Sequence, residues 1–76
     1  MNLHVFVRKF CGPTTKVSIT HDGRSLRCPV PYSRAHARLL VWATPQDWLD
    51  FNPCLGHLDV YRHVMDEDGD YAIWLE

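Results

Sequence analysis

The chain has 76 residues, a net charge of −1, 46% hydrophobic residues and nine aromatics. That length allows one domain with a thin core, since a chain of this size buries only about 60% of its unfolded surface. No apolar run approaches the ~18 residues of a membrane span, and MNLHVFVRKF lacks the charged start, long apolar block and small-residue cleavage site of a signal peptide.

Three cysteines, Cys11, Cys28 and Cys54, are too few and odd in number for a secreted disulfide framework. Reduced thiols and a cytoplasmic location are expected. The small net charge hides a split. Residues 1–44 hold seven Lys/Arg and one acid, Asp22, while residues 45–76 hold eight acids and one cation, Arg62. Such asymmetry is a sign of an interaction surface, unless the two halves neutralise each other on folding.

In chain order, LHVFVRKF (3–10) predicts a strand, with Leu3, Val5 and Val7 alternating against His4, Phe6 and Arg8. Cys11-Gly12-Pro13 ends it. KVSITHDGRSLRCPV (16–30) predicts a hairpin about Asp22-Gly23, a pair favoured in two-residue type I′ turns. Folding there pairs His21 with Arg24, Thr20 with Ser25, Ile19 with Leu26, Ser18 with Arg27 and Val17 with Cys28. It segregates Val17, Ile19, Leu26 and Cys28 onto one face, which a one-residue slip would scramble. Pro29 and Pro31 close the third strand.

YSRAHARLLVWAT (32–44) predicts a helix capped by Ser33, burying Ala35, Leu39, Leu40 and Trp42 or Ala43, with Arg34 and Arg38 one turn apart outside. Thr44-Pro45-Gln46-Asp47 starts a short second helix: Thr44 caps, Pro45 sits in the first turn and Asp47 lies at the positive end. Trp48, Leu49 and Phe51 are its expected anchors, and Asn52-Pro53 stops it. For the tail, DEDGDY fits a type I turn with Gly69 in the left-handed position. The resulting hairpin sets Met65 opposite Tyr71, His63 opposite Ile73, Tyr61 opposite Leu75, and Arg62 opposite Trp74 as a cation–π pair. A helix over 55–66 is the alternative. The expected architecture is α+β: a small, mainly antiparallel sheet of four to five strands, in the order β-β-β-α-α-β-β, with one helix and a short second helix on one face.

The chemistry-bearing patterns are sparse. DEDGDY does not have calcium-loop spacing, because Gly69 stands fourth from Asp66 and the chain runs out at Glu76 before a twelfth position. Zinc sites bring ligands in close pairs. The nearest approach is Cys54, His57 and His63, which leaves a small zinc-binding domain as a secondary alternative. Neither GxGxxG nor GxxxxGK[ST] occurs, and no spacing fixes a nucleophile beside a base. No enzyme activity, cofactor or metal is expected.

Non-enzymatic protein binding fits best, because Tyr, Trp and Arg dominate interface energetics. The partner-binding candidates are Arg34, Arg38, Tyr61, Arg62, Glu67, Asp68, Asp70 and Trp74, with Tyr32, Trp42, Trp48 and Tyr71 shared between surface and core. The expected role is that of a phage or mobile-element accessory protein. Such a protein inhibits or redirects a host or regulatory machine, for instance a nucleic-acid-binding complex, by docking on its surface. Nucleic-acid binding by the basic N-terminal half is the alternative, with Lys16, Arg24, Arg27, Arg34 and Arg38 as phosphate contacts. An exposed edge strand would also allow a homodimer.

Overall fold

The computed structural model describes the backbone of residues 1–33 and 36–76, and the side-chain surroundings of residues 1–30 and 38–76. In chain order the elements are α1 (Leu3–Phe10), β1 (Val17–His21), β2 (Arg24–Ser25), β3 (Cys28–Ser33), β4 (His36–Leu40), α2 (Pro45–Phe51), a 3₁₀ turn (Pro53–His57), β5 (Val60–Met65) and β6 (Tyr71–Leu75). The strands form a four-stranded sheet, β2-β1-β6-β5, and a separate β3-β4 pair. The β1–β6 pair is parallel and the other pairs are antiparallel. This is the α+β class, with a small and mainly antiparallel sheet, that the sequence predicts.

Both hairpins with glycine turns form, but the first keeps the expected register only beside its turn: β2 ends at Ser25, Val17 pairs with Ala43 instead of Cys28, and Cys28 pairs with Leu40. Asp22 and Gly23 have φ of 53° and 73°, the positive pair a type I′ turn requires. Thr20 stands opposite Ser25 and His21 opposite Arg24. Leu26 N–H reaches back to the Ile19 carbonyl. Val17, Ile19 and Cys28 are fully buried, and Leu26 packs against them. In the second hairpin Met65 pairs with Tyr71, His63 with Ile73 and Arg62 with Trp74. A bulge displaces Tyr61, so Val60 rather than Tyr61 faces Leu75.

Two elements differ from expectation. Residues 3–10 are a helix, not a strand. The i, i+3 spacing of Leu3 and Phe6 puts both fully into the core. Asn2 caps the helix by accepting from the Val5 N–H at 3.0 Å. Docking of this face outweighs the strand preference of Val5 and Val7.

Cys28–Ser33 and His36–Leu40 form an antiparallel strand pair rather than a strand followed by a helix. Cys28 pairs with Leu40 and Val30 with Arg38. Leu39 is 65% exposed, whereas the predicted helix would have buried it, and of Trp42 and Ala43 it is Ala43 that is buried. The segment after β4 is held extended, because Val17 and Ala43 exchange both backbone hydrogen bonds, at 2.8 and 3.1 Å. A helix through Ala43 could not make that pair. The proposed cap Ser33 therefore ends β3. Arg34 and Ala35 lie outside the described residues, and Arg38 stands on β4 rather than on a helix face.

The short second helix forms as expected. Thr44 Oγ1 accepts from the Asp47 N–H at 3.2 Å, and Pro45 opens the first turn. Trp48 is fully buried and Leu49 packs at the core margin, but Phe51 is 48% exposed and is no anchor. One core joins the inner face of the sheet (Val17, Ile19, Ile73, Leu75) to Leu3 and Phe6 of α1, Trp48 of α2 and Leu55 of the 3₁₀ turn.

Candidate docking surface

The β5–β6 hairpin gathers most of the expected partner-binding residues, and its tip is built by its own side chains. Asp66 N–H donates to the Asp70 carbonyl at 2.8 Å, and Gly69 N–H donates to the Asp66 carbonyl at 3.2 Å. Gly69 takes φ 82°, which closes the bulge. Asp66 Oδ1 accepts from the N–H groups of Asp68 and Asp70, each at 2.9 Å. Asp70 Oδ1 accepts from the Lys16 N–H at 2.8 Å and so ties the tip to the start of β1. The four carboxylates therefore divide into two roles. Asp66 and Asp70 are structural acceptors, while Glu67 and Asp68 are exposed.

Among the described residues, Asp66, Asp68 and Asp70 have ligand-type oxygens within 4.8 Å of one another. Those of Asp66 and Asp70 already serve backbone donors, which gives the convergence a structural cause. Cys54, His57 and His63 do not form such a group. The His57 ring lies edge-on to His4, with centroids 5.5 Å apart. His63 sits instead in an aromatic cluster, 4.9 Å from Phe6 and 5.7 Å from Phe10.

On the outer face of the hairpin the Arg62 guanidinium lies 4.6 Å from the centre of the Trp74 ring, as the register predicts. Trp74 is half-buried there, between Arg62 of β5 and Thr20 of β1. Ser18, Thr20, Ala72 and Trp74 alternate with the core-facing residues along β1 and β6, and all four are only partly covered.

β5 is the last strand of the sheet. Its residues Tyr61 to Met65 are all exposed, with Tyr61 at 58%, Val64 at 46% and Met65 at 61%. Sequence reasoning named Tyr61 and Arg62 but missed Val64, Met65 and Phe10. Phe10 is 44% exposed at the end of α1, beside His63 and Tyr71. Its signal was the helical spacing of Leu3, Phe6 and Phe10, hidden by the apparent strand alternation. Of the remaining candidates, Arg38 is exposed on β4, Trp48 belongs wholly to the core and Tyr71 is half-buried against Phe6.

Two thiols are held above the ordinary thiol value. Burial alone does this for Cys11; at Cys28 burial is the larger cause and the nearby charge of Asp47 adds to it. Neither is thereby activated as a nucleophile, because activation requires a lowered value. No helix among the described residues is long and apolar enough to cross a membrane. Comparison with known protein families, curated proteins and solved structures finds no match.

Proposed function

We propose that the chain is a non-enzymatic protein-binding module that docks through its β5–β6 hairpin onto a basic protein surface. The observation that carries this reading is the continuity of three features on one hairpin. They are an exposed edge strand with Tyr61, Val64 and Met65, the stacked Arg62–Trp74 pair, and a tip whose Glu67 and Asp68 are exposed and, among the described residues, accept no hydrogen bond. Exposed aromatics and Arg supply contact energy, and rim carboxylates supply steering. A small accessory protein of this kind would inhibit or redirect a nucleic-acid-binding machine by covering its cationic surface, in phage or mobile-element fashion.

The test is affinity capture on the immobilised full chain, with recovered proteins weighed and identified, followed by association kinetics of the recovered protein. A basic protein at unit stoichiometry is expected. Its association rate should fall as salt rises and fall again for Glu67→Gln with Asp68→Asn. Recovery of nucleic acid without protein would sink the reading, as would an association rate indifferent to salt and to both substitutions.

A further inference from the structure

The open edge of β5 has a definite hydrogen-bonding phase. Antiparallel strands alternate between residue pairs that bond each other and pairs whose N–H and C=O groups point to the outer edges. The tip sets that alternation, because Asp66 N–H donates to the Asp70 carbonyl. Val64–Ala72 and Arg62–Trp74 are then the bonded pairs, and the N–H and C=O of His63 and Met65 point away from β6. Tyr71, the partner of Met65, fits the same phase, since its N–H turns outward to the Lys16 carbonyl at 3.1 Å.

The start of this edge is already occupied by the chain itself. Leu3 N–H donates to the Leu58 carbonyl at 3.0 Å, and Val60 N–H donates to the Met1 carbonyl at 2.9 Å. Among the described residues nothing pairs with the edge beyond Val60, which leaves it open for about 17 Å, the length of five extended residues. No proline or lysine blocks it.

We infer that this edge takes an added strand: an extended segment of the partner protein that carries Lys or Arg and bonds to the backbone of His63 and Met65. The inference rests on the protein-binding reading and specifies its occupant. Outward N–H and C=O groups at strand spacing match a peptide backbone and no other polymer. On the inner side of the edge lie Met65, 61% exposed, and Phe10, 44% exposed, which would receive one apolar side chain of the added strand. The charges flanking the edge select its sign. Asp59 stands at one end and Asp66, Glu67 and Asp68 at the other, all exposed, while Arg62 is engaged over Trp74 on the outer face. A second copy of this chain would bring the same acids against each other and is disfavoured.

The experiment uses the full chain, isotopically labelled, with amide hydrogen exchange read residue by residue. The probes are synthetic peptides of about ten residues, long enough to cover the open edge. One alternates Val and Lys, one alternates Val and Glu, and one is the Lys peptide interrupted by proline. With the Lys peptide, the His63 and Met65 amides should exchange at least about tenfold more slowly, and the Glu and proline peptides should leave them unprotected. His63→Pro removes one outward donor without touching a β5–β6 bonded pair, and it should abolish the protection. If that variant fails to fold, Met65→Lys keeps the backbone and should weaken the Lys peptide by its like charge.

Two outcomes overturn the inference. One is a Lys peptide that leaves both amides unprotected at about 1 mM, the weakest range of interest. The other is protection that rises with protein concentration in the absence of peptide, which makes the occupant a second copy. If the Lys peptide fails while Glu67→Gln with Asp68→Asn still slows association of the captured protein, strand addition falls and protein docking stands. If no protein is captured at all, the docking reading falls first.

Discussion

Trp48 is fully buried, and its indole N–H donates to the Val17 carbonyl at 2.9 Å, so one side chain ties α2 to β1 by packing and by a bond. Trp48→Ala should cost about 3–5 kcal/mol, a large share of the roughly 4–11 kcal/mol expected in total for a chain of this size, and should lower the urea midpoint accordingly. Trp48→Phe keeps most of the volume and loses the donor, so its urea midpoint should fall by much less. Equal midpoints for the two variants would show that the indole bond, not the packing, holds α2. The cysteines make a second residue-scale test. Cys54 is exposed and Cys28 buried, so a thiol reagent should label Cys54 in the native protein and Cys28 only as it unfolds. Burial disfavours the Cys28 thiolate in the folded state. The unfolded chain therefore releases this proton first, at the ordinary thiol value of about 8.5. The thiol's contribution to stability is intact below that pH and is lost as pH rises through and above it. Native labelling of Cys28 at the rate of Cys54 would contradict the burial.

At the scale of elements, the acidic tip separates charge from structure. Asp66 Oδ1 holds two N–H groups and Asp70 Oδ1 holds the Lys16 N–H. Asp66→Ala should lower the melting temperature by about 5 °C, the equivalent of roughly one net hydrogen bond in a domain of this size. Asp66→Asn keeps an acceptor oxygen and should recover most of the loss. Glu67→Gln with Asp68→Asn should leave the melting temperature unchanged or slightly raised, since it only relieves like-charge repulsion. A large loss in that double variant would place structural work on the two exposed carboxylates. The same tip explains what was legible in the sequence. Its geometry, like that of Asp22-Gly23 and the Thr44-Pro45 cap, is set by residues within five positions, so local chemistry specified it. The two segments misread, 3–10 and 32–44, are decided at long range. Leu3 answers to Leu58, and Ala43 to Val17. No local pattern in Ala-Arg-Leu-Leu records that a strand at 28–33 will be present to pair with it. The candidate site divided in the same way: the Arg62–Trp74 pair followed from the turn, while Phe10 and the open edge depended on where α1 docks.

Across the whole molecule, the sheet order sets the charge layout. β1 and β2 belong to the basic half of the chain and β5 and β6 to the acidic half, and they meet through the parallel β1–β6 pair. Val17 pairs with Tyr71 and His21 with Leu75, so the Asp22-Gly23 turn and the acidic tip stand at opposite ends of the sheet. Arg24 and Arg27 are exposed on the far edge from β5. The molecule measures 36 × 25 × 20 Å, several times the ~8 Å Debye length at physiological salt. The two poles are therefore screened from each other, and the net charge of −1 describes neither. A polyanion approaching the basic edge meets two or three cations, which gives a log–log salt slope of only about −2 to −3 and little affinity once salt is physiological. Titration with duplex DNA and with single-stranded RNA should show no measurable binding there. At low salt any weak binding should lose its slope in Arg24→Ala with Arg27→Ala, while Glu67→Gln with Asp68→Asn should strengthen it slightly by removing repulsion. Micromolar or tighter binding at physiological salt, weakened by the two arginine substitutions or by Arg38→Ala, would make the basic edge the working surface and reduce the acidic hairpin to a counterweight.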